Sequence, residues 1–573
     1  MFDGRLKDSG GLRAIIALAL ATAAGCIKSE SAGIDSGAAG SGSAGAVAGG
    51  GTSGAAGAGG GVAGTGGSTS SPGTGGGAAG TGGGAAGTAG IAGTGSGGTA
   101  PGRGGAGGPG GFATGGGAGG GATGTGGSGS GALTLTGFKI EANPRMSLSC
   151  YVSWTTSVAA NSEVQFGAGG YQLRIVDSAQ VTAHKVHVLG MHAQTAYQIK
   201  AVSTNATATG SATGSFTTGA LPSGMPRATL LTNTRAKMQP GWTLTNVWPG
   251  GSAPAIIVIV DADALPVWYF VHGRGADQFG MTSTQWLPNQ HILIGNASTE
   301  PPREVDLEAN IIWEGPTGGS PAASHHTSKN AAGNYLIVRE SNTTARVEEI
   351  SPANAVVWSW DLYKDSPIRP KTTAADWCHA NSVSVDDAKG FVYFNCRYQG
   401  VFKINRSTKA LLWQLGAAID DANTGDITYL PSNSARFNDS HDPEIHDDGT
   451  ILLYDNQGWT GHTGGQMNGS YHTQVVEYTL DEAAKRATLT WQFPGTFTVD
   501  SWYKQTWATP IWGDANRLAN GNVLVTAGNK SNPSTRLFEV TRAGEVVWAL
   551  EWPANIGSYR ASRISPPIAE PLP

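Results

Sequence analysis

The sequence has a small net charge and lacks any run of basic residues. The chain of 573 residues carries a formal net charge of −5, which argues against nucleic acid as a partner. Its four cysteines and 12 histidines show no zinc-binding spacing. We therefore expect no metal and no other cofactor.

Large apolar residues are almost missing from residues 27–132, although most of the 88 glycines fall there. Such a segment cannot bury enough surface to offset its ordering entropy. It also lacks the strict Gly-X-Y period and the proline of collagen. We expect a disordered, flexible tether of Gly, Ala, Ser and Thr. The remainder has an ordinary globular composition and is long enough for two or more domains.

The N-terminus contains an apolar segment that is too short to span a bilayer. Arg5, Lys7 and Arg13 precede "AIIALALATAAGC", a pattern typical of a signal peptide. The small residues before Cys26 resemble the bacterial lipobox, in which the cysteine is lipidated, although Ala23 replaces the usual leucine. We expect residues 1–26 to be a lipoprotein-type signal peptide, with an ordinary secretory signal as the alternative. The protein would then be exported to the bacterial envelope, with membrane contact only through the lipid anchor.

Residues 133–219 alternate polar and apolar residues between turn signals, as in "SCYVSWTT", "SEVQFG" and "AYQIKAVS". About seven short strands over this length predict a small β-sandwich. The order of the segments resembles a fibronectin type III domain, including a Thr-x-Tyr corner at Thr195 and Tyr197. Cys150 falls in a predicted core strand, which favours a buried thiol. The segment has no catalytic cluster, so we expect a spacer or an interaction module.

Residues 225–565 contain an internal repeat built from two hairpin units. The first unit is a strand, a polar turn and a strand ending in tryptophan, and it ends at Trp268, Trp313, Trp358, Trp413, Trp491 and Trp548. The second unit is a turn, usually ending in glycine, and an apolar strand, as in "HDDGTILLYDN". Two hairpins give four strands, so six repeats predict an all-β, six-bladed β-propeller. Fewer clear copies of the second unit than of the first indicate a ring closed by strands from both ends.

Histidines occupy the same place in successive repeats. His441 lies eight residues before Gly449, and His325 lies eight residues before Gly333. His379 precedes "DDAKG", the longer turn of the middle repeat. Equivalent positions in a propeller meet around the central axis. These histidines should therefore converge at one end of the channel.

An arginine is predicted to join the histidines. His379 and Arg397 are equally distant from the turn near residue 388, so they should face each other across the hairpin. Imidazoles with an arginine and no acidic partner suit a tetrahedral oxyanion such as sulfate or phosphate. Cys378 and Cys396 flank the same hairpin and form either a disulfide or two buried thiols.

The motifs that carry these residues occur together in one enzyme family. "SHHTSKNAAGNYLIV", "DWCHANSV" with "NCRYQGVFKI", "SHDPEIHDDGTILLYDNQG" and "RLANGNVLVTAG" resemble the bacterial arylsulfate sulfotransferases, which use no nucleotide sulfate donor. The resemblance covers the repeat domain. It implies a six-bladed propeller that transfers a sulfuryl group from a phenolic sulfate ester to a phenolic acceptor, by a ping-pong mechanism through a sulfated histidine.

The resemblance also implies roles for individual residues. His441, in "SHDPEI", would be the nucleophile. The family positions that hold the sulfuryl oxygens match His379, Asn381, Arg397 and one residue of the pair His325 and His326. The eight-residue register favours His325 over His326.

Other polar residues lie close to these motifs. Asp442 or Glu444 is expected to orient the nucleophile and fix its tautomer, with a plain turn residue as the alternative for each. His446 is expected to be solvated in its turn. His462 and His472 are expected to belong to a long loop over the propeller face.

Aromatic loop residues are expected to hold the phenyl ring of the substrate. Trp459 and Tyr471 are the first candidates, and Trp507 and Trp512 are others, although a place in the core is the commoner explanation for any one of them. Three alternatives to sulfotransfer remain open. The first is a non-catalytic, surface-anchored binding propeller, the second is another propeller enzyme such as a lyase, and the third is a sulfatase, in which water is the acceptor.

Overall fold

A computed structural model of the chain describes residues 133–249, 253–274, 283–295, 300–316, 323–341, 343–368, 377–416, 427–430, 436–457, 472–509, 511–528, 534–566 and 570–571. Contacts divide the chain into residues 1–109 and 110–573, and every described residue lies in the second unit. The predicted signal peptide with Cys26, and the predicted tether, lie outside the described residues. None of the described helices has the length and apolar character needed to cross a membrane.

The first domain is a single antiparallel sheet built around long strands. Its strands are β1 (Leu135–Ala142), β2 (Cys150–Gly167), β3 (Leu173–Val188), β4 (Ala196–Thr204) and β5 (Thr209–Thr217). The first part of β2 pairs with β1 and its last part with β4, while β3 runs along its other edge. The structure has five strands here, fewer than the seven predicted, because β2 and β3 are continuous over 18 and 16 residues.

Two local predictions for this domain agree with the structure. The backbone N–H of His192 donates to Tyr197 Oη at 2.8 Å, which is the kind of bond that a tyrosine corner makes. Cys150 is a buried free thiol, and burial raises the pKa of that thiol to about 12. The likeness of the whole domain to fibronectin type III stays a prediction.

The second domain consists almost entirely of short strands. In chain order they are β6 (Thr229–Asn233), β7 (Trp242–Val247), β8 (Pro254–Val260), β9 (Pro266–Arg274), β10 (Thr284–Trp286), β11 (Ile292–Ile294), β12 (Arg303–Val305), β13 (Ile311–Glu314), β14 (Ala323–Lys329), β15 (Tyr335–Ser341), β16 (Thr344–Ile350), β17 (Val356–Asp361), β18 (Ala380–Asp386), β19 (Phe391–Cys396), β20 (Gly400–Asn405), β21 (Leu411–Leu415), β22 (Thr428–Leu430), β23 (Ser440–Ile445), β24 (Thr450–Asp455), β25 (Gln474–Asp481), β26 (Arg486–Phe493), β27 (Asp514–Arg517), β28 (Val523–Ala527), β29 (Arg536–Val540), β30 (Val546–Glu551) and β31 (Ala561–Ile564). The helix α1 (Leu362–Asp365) follows β17, and a π-helical turn (Trp502–Thr506) follows β26.

These strands form six sheets, which are the six blades that the repeat predicts. Three blades are β10–β13, β14–β17 and β18–β21, and a fourth contains β23–β26 with β22 at its outer edge. In the other two, β31 joins β7–β9, and β6 joins β27–β30. Strands from both ends of the domain therefore close the ring, as predicted.

The tryptophan of each outer strand explains why the repeat ends in this residue. Trp268 Nε1 donates to Leu307 O, in a turn of the next blade, at 2.9 Å. Trp548 Nε1, in the last blade, donates to Ala262 O of the first blade at 3.0 Å. Equivalent bonds to the next blade are made by Trp313, Trp358 and Trp491. An indole combines a large apolar face with one N–H donor, so a single residue fills the gap between two blades and joins them.

The first domain packs directly on the propeller. Met146 and Leu148 are buried in the same apolar cluster as Trp268, and Tyr151 Oη donates to Glu308 Oε2 at 2.9 Å. A further short strand near the C-terminus, β32 (Glu570–Pro571), pairs with β3. The shared core fixes this domain to the propeller, which a simple spacer would not require.

Candidate active site

The candidate site lies where the innermost strands of neighbouring blades begin. β14 contacts β18, and β18 contacts β23. Each of these strands has a register shift close to its first residues, at His325–His326, at Asn381 and at Asp442–Pro443. A β-bulge turns side chains away from the regular alternation of a strand, and bulges are common next to active sites.

The histidines of three blades converge at these bulges. The rings of His325 and His379 are 5.0 Å apart between centroids. The Tyr559 ring lies 6.3 Å from His325 and 6.2 Å from His441. The backbone is left-handed at His325, His379 and Asp442, with φ of 54°, 50° and 41°. Such conformations are costly for residues other than glycine and cluster at functional sites.

His441 has a fixed tautomer. Its Nδ1 lies 2.6 Å from Asn456 Oδ1, while Asn456 Nδ2 donates to Thr509 O at 2.6 Å and to Trp512 O at 2.8 Å. Because both amide hydrogens are used in this way, the amide oxygen faces His441 and accepts the hydrogen of Nδ1. Nε2 therefore carries the lone pair. Burial, and then the charge of Arg397, hold the pKa of His441 well below its usual value, so the ring is neutral near pH 7.

The partner of His441 is thus an amide, and the prediction of Asp442 or Glu444 in that role is wrong. Asp442 Oδ1 is 2.7 Å from Arg560 Nη1. Glu444 Oε2 accepts the backbone N–H of Arg517 at 2.7 Å. Sequence reasoning missed Asn456. Its backbone N–H donates to Asp439 O at 2.9 Å, just before the strand of His441 in the same hairpin. The symmetry argument that paired His379 with an arginine places Tyr454 opposite His441, so it would not have found Asn456.

Arg397 faces His379 as predicted, since the N–H of Arg397 donates to His379 O at 3.0 Å. Its guanidinium lies over the Tyr398 ring, 5.0 Å from the centroid. Its Nη2 is also 3.3 Å from Asp439 Oδ2, and both side chains are almost fully buried. The prediction that the cluster has no acidic partner is therefore wrong. Asp439 balances the charge of Arg397 and limits its movement.

The cysteines of this hairpin form a disulfide. Cys378 and Cys396 are bonded, with Cα atoms 4.7 Å apart. Of the two possibilities left open by the sequence, the structure contains the cross-strand disulfide. It joins the residues directly next to His379 and Arg397, so it ties together the two strands that carry them.

Two of the predicted oxygen-binding residues are engaged with a neighbouring blade. His326 Nδ1 accepts the backbone N–H of Val383 at 3.0 Å, so His326 links β14 to β18, while His325 is the residue that meets His379. Asn381 Nδ2 donates to Ser440 O at 2.8 Å. That bond links β18 to the strand of the predicted nucleophile.

A second arginine at the axis was missed by sequence reasoning. Arg560 is 2% exposed, and its Nη2 donates to Asn381 O at 2.9 Å. Its guanidinium lies over the Tyr559 ring, 5.0 Å from the centroid. Both residues precede β31, which reaches the axis only because it closes the ring. The segment belongs to no repeat unit, so the sequence offered no register from which to place it.

The predicted aromatic and loop residues have mixed outcomes. Trp507 and Trp512 are buried, and Trp507 Nε1 donates to Tyr454 Oη at 3.0 Å. Both side chains are therefore part of the core, and the Trp512 ring also packs edge-on against Tyr559, with centroids 6.4 Å apart. A contact of either residue with substrate stays a prediction. His446, which was predicted to be solvated, is half-buried with Nε2 3.4 Å from Glu444 Oε2, whereas His472 is exposed. Three predicted loop residues lie outside the described part of the chain: Trp459, His462 and Tyr471.

One family matches the propeller along nearly its whole length. The family model Arylsulfotransferase (ASST) matches residues 230–560, which is more than half of the chain. The chain belongs to the arylsulfotransferase family. The matched segment contains every residue of the candidate site, from His325 to Arg560. Membership supports aryl sulfotransfer on small phenolic substrates as the activity of this arylsulfotransferase.

Solved structures resemble the chain only weakly, and no curated protein matches it. The structures include a protein of unknown function from Bacteroides caccae (15% identity, 58% of this chain and 93% of that chain, TM-score 0.30). They also include the Cps50 (Swd1) β-propeller domain from Myceliophteria thermophila (11%, 57% and 88%, TM-score 0.33) and virginiamycin B lyase from Staphylococcus aureus (6%, 58% and 99%, TM-score 0.30). Structural similarity at these TM-scores supports no conclusion about the fold or the function of the arylsulfotransferase. Its fold rests on the strand pairing described above.

Proposed function

We propose that this arylsulfotransferase moves a sulfuryl group between phenols in two displacements at His441. In the first, the Nε2 lone pair attacks sulfur and the S–O ester bond breaks. The electron pair of that bond leaves on the phenolic oxygen, which takes up a proton. In the second, the oxygen of an acceptor phenol attacks the sulfur and loses its proton, and the N–S bond returns its electron pair to Nε2. This is a ping-pong sequence with one covalent intermediate.

The tautomer of His441 is the observation that carries this proposal. Nδ1 donates to Asn456 Oδ1, so the lone pair lies on the nitrogen that points away from the amide. The low pKa of His441 keeps that lone pair free of a proton near pH 7. A nitrogen nucleophile needs this combination of neutral ring and fixed tautomer.

The sulfuryl oxygens would be held by side chains on or next to three different strands. The rings of His325 and His379 are 5.0 Å apart, and the Tyr559 ring lies next to both His325 and His441. Arg397 O accepts the N–H of Ser440, the residue before His441, at 3.2 Å, so all three groups lie close to the proposed point of attack. Fixed donors around developing negative charge lower a barrier by about 3 kcal/mol each. His326 and Asn381, which bind neighbouring strands, are proposed to hold this set in place.

We propose that the enzyme is exported to the bacterial envelope. Disulfides persist in oxidising compartments, so the bond between Cys378 and Cys396 supports export. The signal features of residues 1–26 favour the same location, with a lipid anchor at Cys26 as the membrane contact. The partners would be a small phenolic sulfate donor and a phenolic acceptor.

The test uses purified protein, p-nitrophenyl sulfate and phenol. The variants are His441→Ala and, as a control on the same hairpin, His446→Ala. We expect nitrophenolate release to require phenol and to fall by at least about 10⁴-fold in His441→Ala, while His446→Ala stays active. Without phenol, mass spectrometry of the wild type should find one SO₃ group on the peptide that contains His441.

Other outcomes select other functions. Equally fast release without phenol would indicate a sulfatase. Activity in His441→Ala would exclude the sulfated histidine, whatever the acceptor. If no phenol supports release by the wild type, the non-catalytic binding propeller is the better description.

A further inference from the structure

A buried cluster of two carboxyl groups and a guanidinium lies beside the site. Arg560 Nη1 pairs with Asp442 Oδ1 at 2.7 Å, and Arg560 Nη2 donates to Asn381 O at 2.9 Å. The carboxyl group of Asp514 is within hydrogen-bond distance of Asp442. Asp514 Oδ2 also accepts the N–H of Ala561 at 3.2 Å. The cluster therefore joins four inner strands, β18, β23, β27 and β31, at the end where the histidines converge.

The charge of this cluster depends on one proton. Asp514 is 1% exposed, and burial raises its pKa well above the usual value, with a further contribution from the charge of Asp442. Two carboxylates this close cannot both ionise without strong repulsion. Asp442, which pairs directly with Arg560, carries the negative charge. With a neutral Asp514, the cluster has no net charge.

We propose that Asp442 and Asp514 share a proton, and that this proton holds the inner strands in the geometry that His441 needs. The hydrogen-bonded pair and Arg560 connect the strand of His441 to the strand of Asn381. Removing the proton would place two negative charges side by side, loosen this connection and repel an anionic sulfate donor. The part of the inference that concerns the reaction rests on the proposed function, while the shared proton itself does not.

The groups that face this pair come from several strands. Arg560 and Tyr559 lie on the β31 side, and burial raises the pKa of Tyr559 to about 12. The Tyr454 phenol, on β24, has a raised pKa, again through burial. His326, on β14, has its pKa lowered by burial and by Arg560. These groups keep one protonation state across the neutral and mildly alkaline range.

Burial raises the pKa of Asp455, beside Tyr454, to about 6, and Glu444 is a second neighbour that titrates near neutral pH. It lies two residues after Asp442 on β23, and burial raises its pKa to about 7. An alkaline change in activity is therefore assigned to Asp514 only if Glu444→Gln leaves it in place. This makes Glu444→Gln the matched control, because it also replaces a partly buried acid near Asp442 with an amide.

The kinetic test measures kcat/KM for transfer from p-nitrophenyl sulfate to phenol across neutral and alkaline pH. In the wild type we expect a fall of about tenfold per pH unit once the shared proton is lost. Asp514→Asn should abolish this alkaline fall, because its amide donates to Asp442 at every pH. Glu444→Gln should keep it. An unchanged alkaline fall in Asp514→Asn, or its loss in Glu444→Gln, would overturn the inference.

A stability test separates this inference from the proposed function. A raised pKa in the folded state gives a contribution to stability that is complete below the unfolded value, about 3.9 for Asp. It is lost as pH rises towards the folded value. The thermal midpoint of the wild type should therefore fall more than that of Asp514→Asn as pH rises from about 4. Parallel curves for the two proteins would refute the shared proton, whereas diverging curves without any sulfotransfer would refute only the proposed function.

Discussion

Asn456 fixes the tautomer of His441, and in the proposed mechanism it thereby selects the nitrogen that attacks sulfur. A carboxylate in the same place would also accept the Nδ1 hydrogen, but its charge would raise the pKa of the ring and favour protonation of Nε2. An amide oxygen accepts the same hydrogen and orients the ring in the same way, but it adds no charge. Because Asn456 is held by two backbone carbonyls, it presents its oxygen in a fixed orientation.

Substituting Asn456 with Asp should therefore change the pH dependence of the reaction. We expect the pKa of His441 to rise, so that kcat/KM falls as pH decreases through the new value and recovers at higher pH. Asn456→Ala, which removes the orientation without adding charge, should lower kcat by about 100-fold or more at every pH. The check is a pH–rate profile of both variants. An Asn456→Asp profile that matches the wild type would show that the amide does not set the protonation state.

At the scale of strands and turns, a tryptophan hydrogen bond joins most blades to the next. Five of the six repeat tryptophans donate to the following blade. Trp413 is the exception, since its buried Nε1 has no hydrogen-bond partner among the described residues. Trp413 therefore serves as a reference for the other repeat tryptophans, because it has the same side chain without the hydrogen bond among the described residues.

Replacing Trp548 with Phe should lower the free energy of unfolding more than the same change at Trp413. Phe keeps an aromatic face but has no N–H, so Ala262 O in the first blade would lose one of its two donors and keep Asn233 Nδ2. We expect an additional cost of about 1 kcal/mol for Trp548→Phe. Urea unfolding of both variants measures it. Equal costs at the two positions would mean that packing, rather than the bond, is what the tryptophans contribute.

The same elements show what could be read from the sequence. The repeat predicted six blades and their closure, and hairpin symmetry correctly placed Arg397 opposite His379, because pairing in a hairpin is local. Asp439 and Asn456 are equally local and were overlooked. Arg560 is different, because it reaches the axis through a contact between distant parts of the chain. The bulge at His325–His326 was also beyond prediction, since no turn signal marks it. The bulge at Asp442 is marked by Pro443, because proline inside a strand favours a bulge, and that signal was overlooked.

At the scale of the whole molecule, the first domain and the propeller share an ion pair as well as a core. His192 Nε2 is 2.8 Å from Asp261 Oδ2, in a turn of the first blade. This hydrogen bond raises the pKa of His192, although burial opposes the shift. The connection between the domains is therefore sensitive to pH.

The thermal midpoint should reflect this ion pair. The contribution of a raised histidine pKa is complete below the unfolded value, about 6.5, and is lost as pH rises through the folded value. His192→Gln should remove this decline with pH. His187→Gln is the control for the decline above about pH 6.5, because burial lowers the pKa of His187 to about 4. Above the unfolded value this histidine is neutral in both the folded and the unfolded state. A decline that survives in His192→Gln would have to come from another group.

The closure of the propeller has a consequence for how the enzyme is made. A nascent chain leaves the ribosome from its N-terminus, so His325, His379 and His441 are synthesised well before β31. Tyr559 and Arg560 arrive with β31, which completes the blade formed by β7–β9. A product that terminates early would carry every proposed sulfuryl-binding histidine and still lack both the closed ring and the Arg560 connection between their strands. Translation must reach the last strand before the site can exist.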